Sequence, residues 1–342
     1  MQILTYHAWV LSGSPNSSTG VLSEFLQLSG EIGVTAFFAL SGFGMFNSIM
    51  HSYDNRTFSY KSYLQKRAFR ILPPYYFCLA VSILLLNGNF IGINGLKHVI
   101  THVFLIHNLF PSCHGSINGA LWTMGTIAQF YLIAPFLCRL FQRNGHLTMV
   151  SSIALTVLMK FAVYHVFYQE VEDSGWYAFF GGRQLITALD NFTVGMFVAW
   201  FIKKHKVQLN APVGLFLTVG SFIVQLYLCS FGSIYGVHTN NLSGYLWHSM
   251  IAITIGLAMI GISYLPTIKI RLLQYLAKNE YPIYLWHLTV YNNLLQRSEF
   301  IMSCSGKIRI ILLISIAILA GALLSKSTIN LDMIFLYHQH NA

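Results

Sequence analysis

Charged residues are scarce in this chain. Lys, Arg, Asp and Glu make up 9% of its 342 residues, against about 25% in an ordinary soluble domain. Only ten are acidic. A water-soluble exterior has to be covered largely by such side chains, so a soluble globular fold is excluded, and with 55% hydrophobic residues most of the surface must face lipid. The cysteines show no CxxC pair and no metal-finger spacing. Cys78, Cys113, Cys138, Cys229 and Cys304 lie mostly in apolar runs and read as small buried hydrophobes. Cys113 and Cys304 fall in segments assigned to the outer face, which leaves one disulfide open to them. There is no internal repeat, no low-complexity linker and no soluble segment, so the expectation is a single membrane domain over 1–342 with a short mixed tail at 325–342.

The chain has long apolar runs in place of charge. They are expected to form helices at about 31–50, 71–86, 118–140, 147–167, 184–202, 212–230, 245–265, 281–295 and 308–324, because crossing the hydrocarbon takes about 20 residues. The run at 1–11 is too short to cross, which points to a first helix incomplete at its N-terminal end, and it lacks the basic start and small-residue cleavage site of a signal peptide. Counting it gives an all-α polytopic bundle of about ten transmembrane helices. The apolar stretch at 98–110 is shorter than a span and is expected at the interface or re-entrant.

The formal charge of +10 would raise the question of nucleic-acid binding in a soluble protein. Here the basic residues sit between apolar runs, and topology accounts for them. With the N-terminus on the cytoplasmic side, fourteen of the twenty fall inside, five outside, and Lys160 within a span. This satisfies the positive-inside rule and puts both termini in the cytoplasm. Membrane lipid is then the main partner, and no nucleic acid is expected.

Ionisable groups within a bilayer are costly, so each needs a reason. His7 lies one turn from the outer end of the first run. An imidazole there, with an ordinary pKa of ~6.5, is mostly neutral and can accept a proton from a hydroxyl; a hydrogen bond to a neighbouring helix is the plainer account. Arg67 and Arg70, three apart at a membrane boundary, share one helix face, and two guanidinium forks suit a phosphate or pyrophosphate; anchoring to headgroups is the alternative. His98 and His102, four apart, are read as interfacial hydrogen-bonding groups, and no metal is expected. Asp190 sits two turns after Arg183 inside a span, as an ion-pair partner or as a contact for a substrate hydroxyl. Trp122 and Gln129 are further candidate substrate contacts, although aromatic residues near interfaces are more often belt anchors.

The local strings form a series: Tyr6-His7; Gly33-Val34-Thr35-Ala36-Phe37-Phe38-Ala39-Leu40-Ser41-Gly42-Phe43; Arg67-x-x-Arg70; Leu121-Trp122-Thr123-Met124 with Gln129-Phe130-Tyr131-Leu132; Phe192-Thr193-Val194-Gly195-Met196; and Tyr281-Pro282-Ile283-Tyr284-Leu285-Trp286-His287. In content and order these resemble the signatures of the acyltransferase-3 family. The resemblance implies a ten-helix enzyme of the bacterial cytoplasmic (inner) membrane. Such an enzyme moves an acyl group, usually acetyl, from acetyl-CoA or another acyl-coenzyme A to a sugar hydroxyl of a lipid-linked or polymeric glycan such as O-antigen or exopolysaccharide. It implies that His7 is catalytic and that Arg67 and Arg70 contact the coenzyme A phosphates. Three family features differ here. The usual upstream Arg lies beyond the first residue, Thr35 stands where an acidic residue is usual, and Ile127-Ala128 stand where Glu-Glu is usual. The alternative from another class is a glycan exporter or flippase without transfer chemistry.

Overall fold

The computed structural model describes residues 1–15, 20–86, 90–166, 182–235, 242–266 and 269–340. These form twelve α-helices and no strand. They are α1 (Gln2–Leu11), α2 (Val21–Asp54), α3 (Tyr60–Leu86), α4 (Ile93–Val103), α5 (Trp122–Val166), α6 (Leu189–His205), α7 (Ala211–Tyr235), α8 (Leu242–Ser263), α9 (Arg271–Lys278), α10 (Glu280–Arg297), α11 (Glu299–Ser303) and α12 (Gly306–His340). Six of them, α2, α3, α5, α7, α8 and α12, contain stretches long and apolar enough to cross a membrane. The all-α, polytopic expectation holds. The count of ten is not established, because α1, α6 and α10 do not meet the same length and hydropathy test.

The expected runs at 118–140 and 147–167 appear as one 45-residue helix, α5, with a single non-helical residue, Asn144. A straight helix would hold Thr126 and Thr156 about 45 Å apart. Their hydroxyls instead donate to the carbonyls of Arg183 and Ile186, three residues apart and therefore within about 11 Å of each other. The chain must fold back at Asn144, so 122–143 and 145–166 form an antiparallel pair. The Asn144 Oδ1 accepts the Leu147 N–H at 3.0 Å, an N-cap for the second half. At Gly145 any side chain would collide with the Trp200 ring, which lets the turn lie against α6.

Helices in lipid gain little from hydrophobic burial against one another, so they associate through close packing and polar contacts. The tightest crossing joins α2 and α6. A Cβ on Gly42 would overlap the Phe192 carbonyl, and one on Gly195 would overlap the Ala39 carbonyl. Above this crossing Phe38, Phe192 and Phe130 stack in sequence, with ring centroids 4.4 and 4.0 Å apart. Three of the sequence strings thus meet in one core. Gly30 and Gly33 do the same for α1, admitting the Tyr6 ring and the Ile3 side chain against α2, while the buried Tyr291 hydroxyl of α10 donates to the Leu4 carbonyl.

The segment at 98–110 does not span: α4 lies against α3, where the Tyr75 and Tyr76 hydroxyls donate to the His102 and Val103 carbonyls. At the other end of the bundle the last residues of α2, the Asn144 turn and the last residues of α6 come together. Lys203 Nζ donates to Asp54 at 2.5 Å, Lys204 lies over the Trp200 ring, and the His146 and His205 rings are 6.2 Å apart. Lys203 and Lys204, two of the basic residues assigned to one face, lie at this end. All five cysteines are free thiols, Cys113 fully buried and Cys304 partly so, so the Cys113–Cys304 disulfide does not form.

The glycine crossing makes a stability prediction. Gly195→Ala should lower the unfolding midpoint in detergent by an amount equivalent to about 1–3 kcal/mol, the usual cost of overpacking. Gly220→Ala in α7, where a Cβ meets nothing within 4 Å, should leave it unchanged or raise it slightly, since Ala is the better helix former. Equal midpoints for the two variants would show that the α2–α6 approach is not limiting.

Candidate functional site

His7 lies on α1 between α2 and α10, partly exposed. Its Nδ1 is 2.9 Å from the Nε2 of His287, and the two rings are tilted by 32° with centroids 5.0 Å apart. His287 is fully buried, and its Nδ1 lies 2.5 Å from the Tyr284 carbonyl oxygen one turn back on α10. Tyr284 is itself fixed. Its hydroxyl donates to the Ala120 carbonyl and meets the Thr123 hydroxyl, both at 2.7 Å, and its ring stacks on Phe37. Arg183 and Glu31 act electrostatically, with opposite signs, on His7 and on the Tyr6 phenol. The Arg183 guanidinium lies over the Trp122 ring, 5.3 Å from its centroid.

Arg67 and Arg70 sit toward the other end. They line a cavity of about 190 Å³ with Ser41, Tyr131, Glu280 and Tyr281. Arg67 Nη2 donates to the Ser48 hydroxyl at 2.7 Å, and its Cζ lies 5.7 Å from the Tyr63 ring centroid. Its Nε–H is buried without a partner in the protein, and buried donors usually find one. Phe37, Leu40 and Glu280 also line a second, mainly apolar cavity of about 400 Å³ that extends to Tyr284. His7 lines neither cavity; Tyr284 lies between the cavity wall and His287. His287 is seven residues beyond Glu280 on α10, about 10 Å along the axis.

The remaining sequence candidates have protein partners. Asp190 is fully buried and accepts from the Ser249 hydroxyl and, at 2.8 Å, from the Asn191 N–H. It acts electrostatically on the buried Lys160, whose Nζ meets His248 Nδ1, while His248 Nε2 meets the half-exposed Glu31, each at 3.3 Å. Trp122 is buried under Arg183 and packs edge-on against Phe38. Gln129 donates to the Asn108 side chain at 2.9 Å, and Gln184 donates to the Asn108 carbonyl. These amides tie the segment after α4 to α5 and to the residues around Arg183. His98 Nδ1 bonds Ser116 Oγ and His102 Nδ1 bonds the His98 carbonyl. The His102 ring stacks on His107 at 3.9 Å. Burial in this segment outside the spans pushes the two pKa values down to about 3 and about 4, so the stacked rings are uncharged at neutral pH.

Sequence reasoning did not pair His287 with His7, nor did it weigh Glu31 or His248. The available signal was that each is an ionisable side chain inside an apolar run. It also set Asp190 with Arg183, whereas in the fold Asp190 bonds Ser249 close to Lys160, and Arg183 faces Trp122.

These features define a polytopic membrane protein with a basic cavity toward one end of the bundle and a histidine pair deeper within it. The model of the acyltransferase domain of the acyltransferase-3 family matches residues 3–326, and the chain belongs to that family. It is a multi-pass membrane acyltransferase. No curated protein and no solved structure matches it.

The buried polar cluster makes a second prediction. Lys160→Met removes the buried amine that meets His248 and acts electrostatically on Asp190, and should destabilise by about 1–3 kcal/mol. The double variant Lys160→Met, Asp190→Asn should recover part of that loss. Detergent melting of the three proteins is the measurement, and no recovery in the double variant would show that Lys160 and Asp190 are not energetically coupled.

Proposed function

We propose that this protein transfers an acetyl group from acetyl-coenzyme A to a hydroxyl of a cell-surface glycan, in the cytoplasmic membrane of a bacterium and with both termini on the cytoplasmic side. The observation that carries this reading is the cavity bearing Arg67 and Arg70, which shares Phe37, Leu40 and Glu280 with the apolar cavity that reaches Tyr284, the residue whose carbonyl holds His287 beside His7. The donor set suits the phosphates of coenzyme A. Two guanidinium groups make charge-assisted hydrogen bonds to phosphate oxygens, and the buried Arg67 Nε–H supplies a donor with no competing protein acceptor. The thioester end of the donor extends through the apolar passage toward His7.

At His7 the neutral imidazole takes the proton of the acceptor hydroxyl as the oxygen attacks the thioester carbonyl. The carbon–sulfur bond breaks, and the thiolate takes up the proton, leaving free coenzyme A thiol and the O-acetyl ester. In the covalent version His7 attacks first and carries the acetyl group to the sugar. Arg183, stacked over the buried Trp122, offers a cation to the acceptor.

The test is transfer of labelled acetyl from acetyl-coenzyme A into glycan, measured on membranes containing equal amounts of each variant. His7→Ala should abolish transfer. Arg67→Ala combined with Arg70→Ala should raise the KM for acetyl-coenzyme A by about 10- to 100-fold, as expected from losing charged hydrogen bonds of about 1.5–3 kcal/mol, and should leave the KM for acceptor unchanged. Full transfer by His7→Ala would overturn the reading. If that variant also changed how much glycan reached the surface, the exporter would take its place.

A further inference from the structure

We propose that His287 is a positioning residue that sets the tautomer of His7 and receives its Nδ1 proton, so that His7 Nε2 is the atom that meets the reacting groups. The inference rests on the reading of His7 as the residue that handles the transfer, and adds to it which nitrogen reacts and what holds it ready.

Proton placement fixes the roles of the two rings. A carbonyl oxygen can only accept a hydrogen bond, so the 2.5 Å contact to the Tyr284 carbonyl requires the proton of His287 to be on Nδ1. A neutral imidazole carries one N–H, so His287 Nε2 bears a lone pair. The contact of 2.9 Å between that nitrogen and His7 Nδ1 then requires His7 to be the donor. His7 Nε2 is left with its lone pair unprotonated, as a base or nucleophile needs.

His287 has little freedom to do otherwise. It is fully buried, and Tyr284 and Tyr291 flank its ring, with centroids 5.6 and 5.7 Å away. Tyr284 is tied to α5 by its hydroxyl, and Tyr291 is tied to α1 through the Leu4 carbonyl. The same residues that bring α1 to α10 therefore orient the dyad.

The dyad serves both versions of the transfer. If His7 acts as base, Nε2 gains the hydroxyl proton, and the positive charge is shared through Nδ1–H with His287 until the thiolate is protonated. If His7 carries the acetyl group, Nε2 bonds to the acyl carbon as the carbon–sulfur bond breaks. The Nδ1 proton then passes to His287 Nε2, leaving a neutral acyl-imidazole. In either case the acceptor's proton ends on the coenzyme A thiol, and His287 returns to its starting form.

The test compares the intact protein, His287→Met, His287→Gln and His7→Ala in the labelled-acetyl assay, with amounts in the membrane and detergent melting checked for each. The apolar Met fills the space but accepts no proton. It should lower kcat by on the order of 10²- to 10⁴-fold, the upper end being the cost of a wrong histidine tautomer in a catalytic triad, with the KM for acetyl-coenzyme A within about threefold. The Gln side-chain oxygen can accept from His7 Nδ1–H, so His287→Gln should regain at least about tenfold of that loss. A merely structural role would give no such rescue. If the Met protein fails to accumulate, His287→Ala takes its place. A loss variant within about threefold of the intact kcat, or a Gln variant no better than it, overturns the positioning role. Full activity of His7→Ala would instead bring down the underlying reading. An inactive His7→Ala beside an active His287 variant brings down the positioning role alone.

Discussion

The close approach of α2 to α6 is the constraint on which much of the bundle depends. In a lipid solvent, apolar side chains gain nothing by leaving lipid for protein, so a crossing has to be held by surface fit and by polar contacts. Gly42 and Gly195 let two backbones meet, and the stack of Phe38, Phe192 and Phe130 fills the space beside them. α2 is then fixed, and it carries the surface for α1 through Gly30 and Gly33, the Ser48 hydroxyl that receives Arg67, and Phe37, which stacks on Tyr284. Both parts of the candidate site are thus referred to one helix.

Buried polarity follows a pattern consistent with its cost. Lys160, His248, Glu31, Asp190 and Ser249 come from four helices and contact one another, so the expense of placing ionisable groups in the span is offset by mutual attraction and hydrogen bonds. The amides of Gln129, Asn108 and Gln184 do a similar job in the segment that follows α4. Neither group lines the cavity of Arg67 and Arg70. They hold the frame from which His7, Arg67 and Arg183 project.

Much of this was legible in the chain because hydropathy reports the solvent of each segment directly. The apolar runs, the short non-spanning stretch at 98–110 and the placing of basic residues between the runs all follow from the cost of charge in lipid. The fold-back at Asn144 was visible as a gap between two runs with Arg143 and Gly145 on either side. The sequence strings were harder to interpret, because they mix two kinds of residue. Gly42, Gly195, Phe38, Phe130 and Phe192 are there for packing, whereas His7 and Arg67 face polar surroundings, and a string does not say which is which. The pairing of His7 with His287 was illegible for a plainer reason: 280 residues separate them, and only the assembled α1–α10 contact brings them together.

The histidine pair bears on the two places where a carboxylate is usual and this chain has Thr35 and Ile127-Ala128. Thr35 is buried, with its hydroxyl unpartnered, and Ile127 packs in the core, so neither position offers an imidazole the charge of a carboxylate. A carboxylate beside His7 would hold a negative charge in a low-dielectric site throughout the cycle, which is costly without close partners. A second neutral imidazole avoids that cost. It accepts a hydrogen bond as well as orienting the ring, and it becomes charged only while a proton is in transit. The backbone carbonyl of Tyr284, which cannot be protonated at neutral pH, keeps His287 from presenting the wrong nitrogen. Orientation can therefore be achieved here with an uncharged donor–acceptor chain from Tyr284 through His287 to His7. The nearest carboxylate on this helix face, Glu31, lies one turn before Thr35 and is engaged by His248.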